Sequence, residues 1–242
     1  MTHLHPRVAP RAFITGASRG VGAQIALQMA QLGADIALNF REKSARAEKI
    51  AAQIAQLGQR ATLAQADITD AAQLQNAFQT ASEQLGAFDF LFLNASGGLE
   101  KNRAPDYAFQ LNETAQLRAL DTALPFLKQG ARVVYVTSHL AHFYPEKSVP
   151  SVYEVVAQSK KAGETALRAQ IPALAKRQIS LVVVSGPAIE GTITPKLMQR
   201  ATRENAENHS TLSVEKFAAA IVEAAQNREL ASGATVLVGE AV

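Results

Sequence analysis

The sequence predicts an α/β protein: a single doubly wound domain of Rossmann type, with a seven-stranded parallel sheet and helices on both faces. Two observations predict it. Seven short runs of β-branched and aliphatic residues recur along the 242 residues, separated by longer Ala-, Gln- and Leu-rich stretches with helical spacing that make about six helices. The runs are apolar almost throughout instead of alternating, as strands buried on both faces must be.

In order, the strands are "AFITG" from Ala12, "DIALNF" from Asp35, "ATLAQAD" from Ala61, "FDFLFLNAS" from Phe88, "ARVVYVTS" from Ala131, "ISLVVVSG" from Ile179 and "ATVLVG" from Ala234. The first helix reads from Val21 to Leu32, with Val21, Ile25, Leu27, Met29 and Leu32 apolar and Gly33 as its stop. No repeat or linker interrupts the pattern, so residues 1–242 are expected to form one domain. Residues 1–10 are expected to be a loose leader, and 189–213 a substrate lid that includes a polar insert from Gln199 expected to be mobile.

Composition narrows the function. With 48% hydrophobic and 19% charged residues the chain can bury a sizeable core, and without cysteine it has no thiolate chemistry or disulfides. The net charge of +3 is small and its basic residues are interleaved with acidic ones, which argues against a nucleic-acid partner. No apolar run approaches the roughly 18 residues of a membrane span, and the first eleven residues hold no signal core. A soluble cytoplasmic protein is expected, with no membrane partner.

The first strand runs through "TGASRGVG", Thr15–Gly22, into the first helix. Gly16 permits a tight turn, Gly20 lets a pyrophosphate approach the backbone, and Gly22 lets helix and strand pack closely; the helix N-terminus adds unpaired N–H groups. A dinucleotide is the expected ligand, with Ser18 and Val21 completing its turn. The second strand ends "LNFRE", so Asn39 and Arg41 stand where an NAD site usually offers a carboxylate. Arg41, together with Arg19 inside the turn, suits a 2′-phosphate, and NADP(H) is expected over NAD(H). Asp67 and Ile68 after the third strand are placed to meet the adenine, although Asp67 equally suits a helix N-cap.

These residues resemble the short-chain dehydrogenase/reductase family over nearly the whole chain. "TGASRGVG" is similar to that family's TGxxxGxG turn, and "LNASGG" resembles its NNAG segment, which implies that Asn94, Ala95 and Ser96 border the cofactor. The resemblance also implies a catalytic serine at Ser138, a proton-relay asparagine at Asn112, and a cofactor-flanking turn at Gly186, Pro187, Ile189 and Thr192. A homodimer or homotetramer is implied in the same way. The stretch between Asn94 and Asn112 is shorter than the family usually has, which puts the fourth helix and any dimer surface on it in doubt.

The second departure lies in "SVYEVVAQSK", Ser151–Lys160. The family's tyrosine stands four residues before its lysine, but here that position is Val156 and the nearest tyrosine is Tyr153. Seven residues make about two helical turns, so Tyr153 and Lys160 share a face about 10 Å apart along the axis. This Tyr-x6-Lys spacing resembles the enoyl-thioester reductase branch. Ser151 and Glu154 read as a capping box, which would put Tyr153 in the first helical turn and lower its pKa through the helix dipole and Lys160. Tyr144 and His139 are expected to line the substrate pocket. His139 and His142 share a turn but form no metal motif.

The expected activity is NADP(H)-dependent reduction of a small-molecule or acyl-thioester substrate, a conjugated enoyl or a carbonyl compound. Tyr153, Lys160, Ser138 and Asn112 would be its catalytic residues. Ser138 at the strand end favours a ketone or 3-oxoacyl thioester as the alternative substrate. A non-catalytic NADP-binding sensor or scaffold is the alternative of another class, suggested by the missing tyrosine at the usual position.

Overall fold

The computed structural model of the chain describes residues 9–100, 102–189 and 212–239. The expected strands form β1 (Arg11–Ile14), β2 (Asp35–Phe40), β3 (Ala61–Gln65), β4 (Phe88–Leu93), β5 (Leu127–Ser138), β6 (Ser180–Gly186) and β7 (Thr235–Leu237). They pair in parallel in the order β3-β2-β1-β4-β5-β6-β7. Sheet growth reverses between β1 and β4, which opens a crevice beyond their carboxyl ends.

Side-chain alternation along each strand feeds two cores. Phe13 points to one face and its neighbours Ala12 and Ile14 to the other. On the Phe13 face pack α3 (Ala71–Leu85), α5 (Ala115–Ala123) and α7 (Glu154–Ala169), through residues such as Leu74, Phe78, Leu120 and Leu167. Phe13 itself stacks on Phe78 at 3.9 Å between ring centroids and meets the edge of Phe88 at 5.6 Å. The opposite face carries α1 (Gly20–Gln31), α2 (Ser44–Gln56) and, after residue 212, α9 (Val214–Gln226), through Ile25, Met29, Ile54, Phe217 and Ile221. Short helices α4 (Tyr107–Phe109), α6 (His139–His142) and α8 (Ile171–Ala175) complete the described residues. The first helix starts one residue earlier than its apolar pattern suggests and stops as expected at Gly33, whose φ of 90° is the left-handed conformation glycine tolerates.

The stretch after β4 is irregular among its described residues up to 106, and helix then begins directly at Tyr107. Between α4 and α5 the chain widens into a π turn, Gln110–Thr114, with Asn112 buried inside it. Widening at that point presses the Asn112 carbonyl against α7, where a Cβ at Gly163 would collide with it. The shortened segment therefore keeps its helix, packed closely on the helix that carries Lys160.

Gly163→Ala is expected to cost about 1–3 kcal/mol of stability by urea denaturation, because backbone has to move to admit the methyl group. Thr165→Ala, on the exposed side of the same helix, is expected to stay within about 0.5 kcal/mol.

Candidate active site

The glycine turn is built by side chains from three strands. Thr15, fully buried at the end of β1, donates its hydroxyl hydrogen to the Phe92 carbonyl at 3.1 Å and accepts from the backbone N–H groups of Asn94 and Ala95 at 2.9 and 3.0 Å. Asn94 donates from Nδ2 to the Thr15 carbonyl at 3.0 Å. Asn39 accepts from the Gly16 N–H at 3.4 Å and donates to the Ala64 and Ala66 carbonyls at 2.9 and 3.2 Å. Asn39 is thus buried and fully engaged by the turn and by β3, and it supports a cofactor site from behind instead of offering its side chain to a ribose.

The turn fits a dinucleotide. Gly16 and Gly20 have φ of 67° and 55°, space beyond Gly20 is open, and a Cβ at Gly22 would collide with the Gly16 carbonyl and the Asn94 side chain. Helix α1 begins at Gly20 with no side-chain cap, which leaves its first N–H groups to an anion. Ser18 and Val21 border this opening half-buried, and Ser96 is exposed across from it on the segment after β4.

Inside the turn Arg19 is exposed and makes no side-chain bond among the described residues. Arg41 is held differently. Its Nη1 donates to the Tyr107 hydroxyl at 2.7 Å and lies 3.8 Å from Asp67 Oδ2, and its Nε is 3.2 Å from Glu42. Asp67 accepts from the N–H and hydroxyl of Thr69 at 2.9 and 2.7 Å, while the N-cap of α3 is Asp70. Of its two expected roles, Asp67 therefore does not fill that of the cap. Ile68 is buried in the core below it.

The reacting end is formed by β5, β6 and α7. Ser138 closes β5 in register with Gly186 of β6, and its hydroxyl lies 3.2 Å from the Tyr153 hydroxyl. The spacing in sequence thus still brings these two hydroxyls together. The capping box does not form. Ser151–Tyr153 is a single 3-10 turn, Tyr153 is the residue before the helix proper, and neither Ser151 nor Tyr153 caps it with a side chain; Glu154 instead approaches the Tyr144 hydroxyl at 3.3 Å.

The electrostatics correct a second expectation. Burial pushes the Tyr153 phenol up from its ordinary pKa, with Ser138 opposing the shift, and Lys160 makes no hydrogen bond to it. Lys160 does not offset the cost of burying the phenolate, so desolvation prevails. Burial likewise pulls Lys160 down to about 8, partly offset by the charge of Glu164 one turn further along α7. Glu164 is itself buried, held by His142 Nδ1 at 2.9 Å and Arg168 Nε at 2.9 Å. No sequence motif marks this trio, because His142 and Glu164 meet only through the packing of α6 on α7.

Asn112 is also placed differently from expectation. Its Oδ1 accepts from the Gly97 N–H at 3.2 Å, and its Nδ2 donates to the Gly97 carbonyl at 2.9 Å and to Ser159 Oγ at 3.0 Å. That side chain ties the loop after β4 to α7 next to Lys160, and it is fully used in doing so.

His139 does not offer a polar atom to a substrate. The Val238 carbonyl, 3.2 Å from Nε2, can only accept, so Nε2 carries the hydrogen and Nδ1 accepts from Ser185 Oγ at 2.9 Å. Burial lowers its pKa and keeps this neutral form. It forms one wall of a hollow of about 320 Å³ with Leu140, Lys147 and Ser148. Tyr144 packs beside Tyr153 and Val156, but its hydroxyl accepts from Gln158 at 2.8 Å on the outer side of α7. Buried Pro187 and Ile189 follow Gly186, which packs so tightly on Phe217 that a Cβ would collide. Thr192 and nearly all of the expected lid lie outside the described residues. Among those residues no helix is long and apolar enough to cross a membrane.

Known proteins share this fold. The sequence model of the family described as short chain dehydrogenase matches residues 10–203. The short chain dehydrogenase mdpC of Emericella nidulans is 30% identical over 229 residues, covering 91% of this chain and 84% of its own. A short-chain dehydrogenase/reductase from Serratia marcescens superposes with a TM-score of 0.80 at 25% identity, over 97% of this chain and 98% of the other. A Burkholderia cenocepacia short chain dehydrogenase in complex with NADP gives 0.78 at 26% identity, over 96% and 98%. The family match takes in both the glycine cradle and the hydroxyl pair, and the chain belongs to the short-chain dehydrogenase/reductase family of oxidoreductases.

Proposed function

We propose that the chain is an NADP(H)-dependent carbonyl reductase acting on a ketone or a 3-oxoacyl thioester. The observation that carries this reading is the pair of hydroxyls on Ser138 and Tyr153, 3.2 Å apart. Two adjacent donors suit one oxygen that gains negative charge as its carbon is reduced. The raised pKa of Tyr153 keeps it a phenol at neutral pH, the protonated form a donor needs. When bound, NADPH supplies the hydride. Tyr153 gives its proton to the substrate oxygen while Ser138 holds that oxygen in place, and carbonyl becomes alcohol. Lys160 holds the ribose end of the cofactor with its charge, and Glu164, His142 and Arg168 fix the helix behind it.

NADP(H) is preferred in this reading because Arg19 and Arg41 flank the adenosine end, and the carboxylates of Glu42 and Asp67 beside them are paired with Arg41. The NADP carried by the Burkholderia cenocepacia neighbour supports the same choice. A second reading, reduction of a conjugated enoyl thioester, is favoured by the Tyr-x6-Lys spacing. There the same two hydroxyls would hold the thioester oxygen through the enolate. A homodimer or homotetramer in the cytoplasm accompanies the proposal as an expectation from the family resemblance.

NADPH oxidation measured with acetoacetyl and crotonyl thioesters side by side separates the two readings, and the carbonyl reading expects the acetoacetyl substrate to be the faster. Tyr153→Phe is expected to lower kcat about 10²–10⁴-fold while NADPH affinity stays within about twofold. Wild-type activity in that variant would overturn the assignment.

Cofactor affinity should also depend on pH. Lys160 is charged below its pKa of about 8 and neutral above it, so NADPH binding to the free chain is expected to weaken as pH rises from about 7 to about 9. Fluorescence titration of NADPH checks this, and Lys160→Met should remove the dependence.

A further inference from the structure

We propose that Tyr107 is a specificity-determining positioning residue, which selects NADPH over NADH by fixing the guanidinium of Arg41. The inference rests on the NADP(H) reading above and extends it to a residue on α4. Tyr107 opens α4 and is buried except for about 7% of its surface, and its hydroxyl accepts from Arg41 Nη1 at 2.7 Å. The guanidinium of Arg103 lies 4.9 Å from the centre of the same ring. A single tyrosine therefore links the end of β2 to the segment that follows β4, across the carboxyl edge of the sheet.

The geometry makes Arg41 directional. An exposed arginine beyond a strand end samples many rotamers and loses much of that freedom when it binds an anion. Here Nη1 is taken by Tyr107, Nε faces Glu42, and Asp67 stands 3.8 Å from Nη1, so three neighbours fix the plane of the fork. Nη2 makes no hydrogen bond or ion pair among the described residues, and it is the part of the fork left for a further acceptor. The two carboxylates alone would draw the guanidinium toward themselves. Tyr107 gives Nη1 a neutral acceptor closer than Asp67, which holds the fork without adding negative charge that would repel a phosphate. The short connection after β4 makes this possible, because it delivers the first residue of α4 to the end of β2.

Arg103 over the ring restrains Tyr107 in turn, and with it the hydroxyl that meets Arg41. Tyr107 acts only through Arg41. NADH has no 2′-phosphate for Arg41 to meet, so its binding should not register the loss of the hydroxyl.

The test is a steady-state comparison of NADPH and NADH for wild type, Tyr107→Phe, Arg41→Ala and the double variant. Phenylalanine keeps the buried ring and the Arg103 stack and removes only the acceptor. Tyr107→Phe is expected to raise KM for NADPH about five- to tenfold, with KM for NADH and kcat within about twofold of wild type. In the Arg41→Ala background the same change should have no further effect on NADPH, because the two act as one unit. An equal loss for both cofactors, an additive effect in the double variant, or an unchanged or lower KM for NADPH would overturn the proposal. A wild-type preference for NADH would instead overturn the NADP(H) reading beneath it, so the two failures are distinct.

Discussion

The contact between the π turn at Asn112 and helix α7 sets the position of the rest of the site. Asn112 uses its whole side chain to join Gly97, in the segment after β4, to Ser159 on α7, and its carbonyl rests where Gly163 leaves room. Lys160 is adjacent to Ser159, and Tyr153 lies at the start of the same helix. The Asn112 tie therefore fixes α7 against the sheet, the sheet fixes Ser138 through its register with β6, and the hydroxyl pair is where those two constraints meet. A buried polar network of this kind is costly unless every group is paired, and here the amide is paired on both its atoms.

Burial, more than helix dipoles or charge pairs, governs the electrostatics. Tyr153 is raised and Lys160 is lowered, and both shifts have desolvation as their largest cause. Only Glu164 opposes it for Lys160, from a position anchored by His142 and Arg168. The protein thus holds a neutral phenol and a weakened ammonium in a dry site. The end of β2 is different: half-exposed Arg41 is fixed by directional hydrogen bonding, where screening by water would make charge alone a poor restraint.

Much of this was legible in the residues. The strands and the parallel sheet they form follow from apolar runs alternating with amphipathic stretches, and the turn from Thr15 to Gly22 was identifiable because a strand precedes it and a helix follows it. Ser138 was placed by its position at the end of a strand. The misreadings have a common physical origin. Ser151 and Glu154 have capping-box spacing, but a 3-10 turn intervenes and Glu154 is drawn to Tyr144. Asn39 and His139 carry polar groups suited to ligands, yet both are consumed by neighbours distant in sequence. Thr15 stood in view as the first letter of its motif. Tyr107 and the His142–Glu164 pair had no local signal, since each partner lies on a different element and only tertiary packing brings them together.

The proposed chemistry rests on a tyrosine that stands before its helix, not within it, yet still meets Ser138 and shares the reacting end with Lys160. A crystal structure of the chain with NADP bound tests this most directly. It is predicted to show the Ser138 and Tyr153 hydroxyls within about 3.5 Å of each other, facing the reacting ring of the cofactor, with Lys160 at its ribose. A Tyr153 hydroxyl turned away from both Ser138 and the cofactor, with Val156 facing the ring in its place, would contradict it.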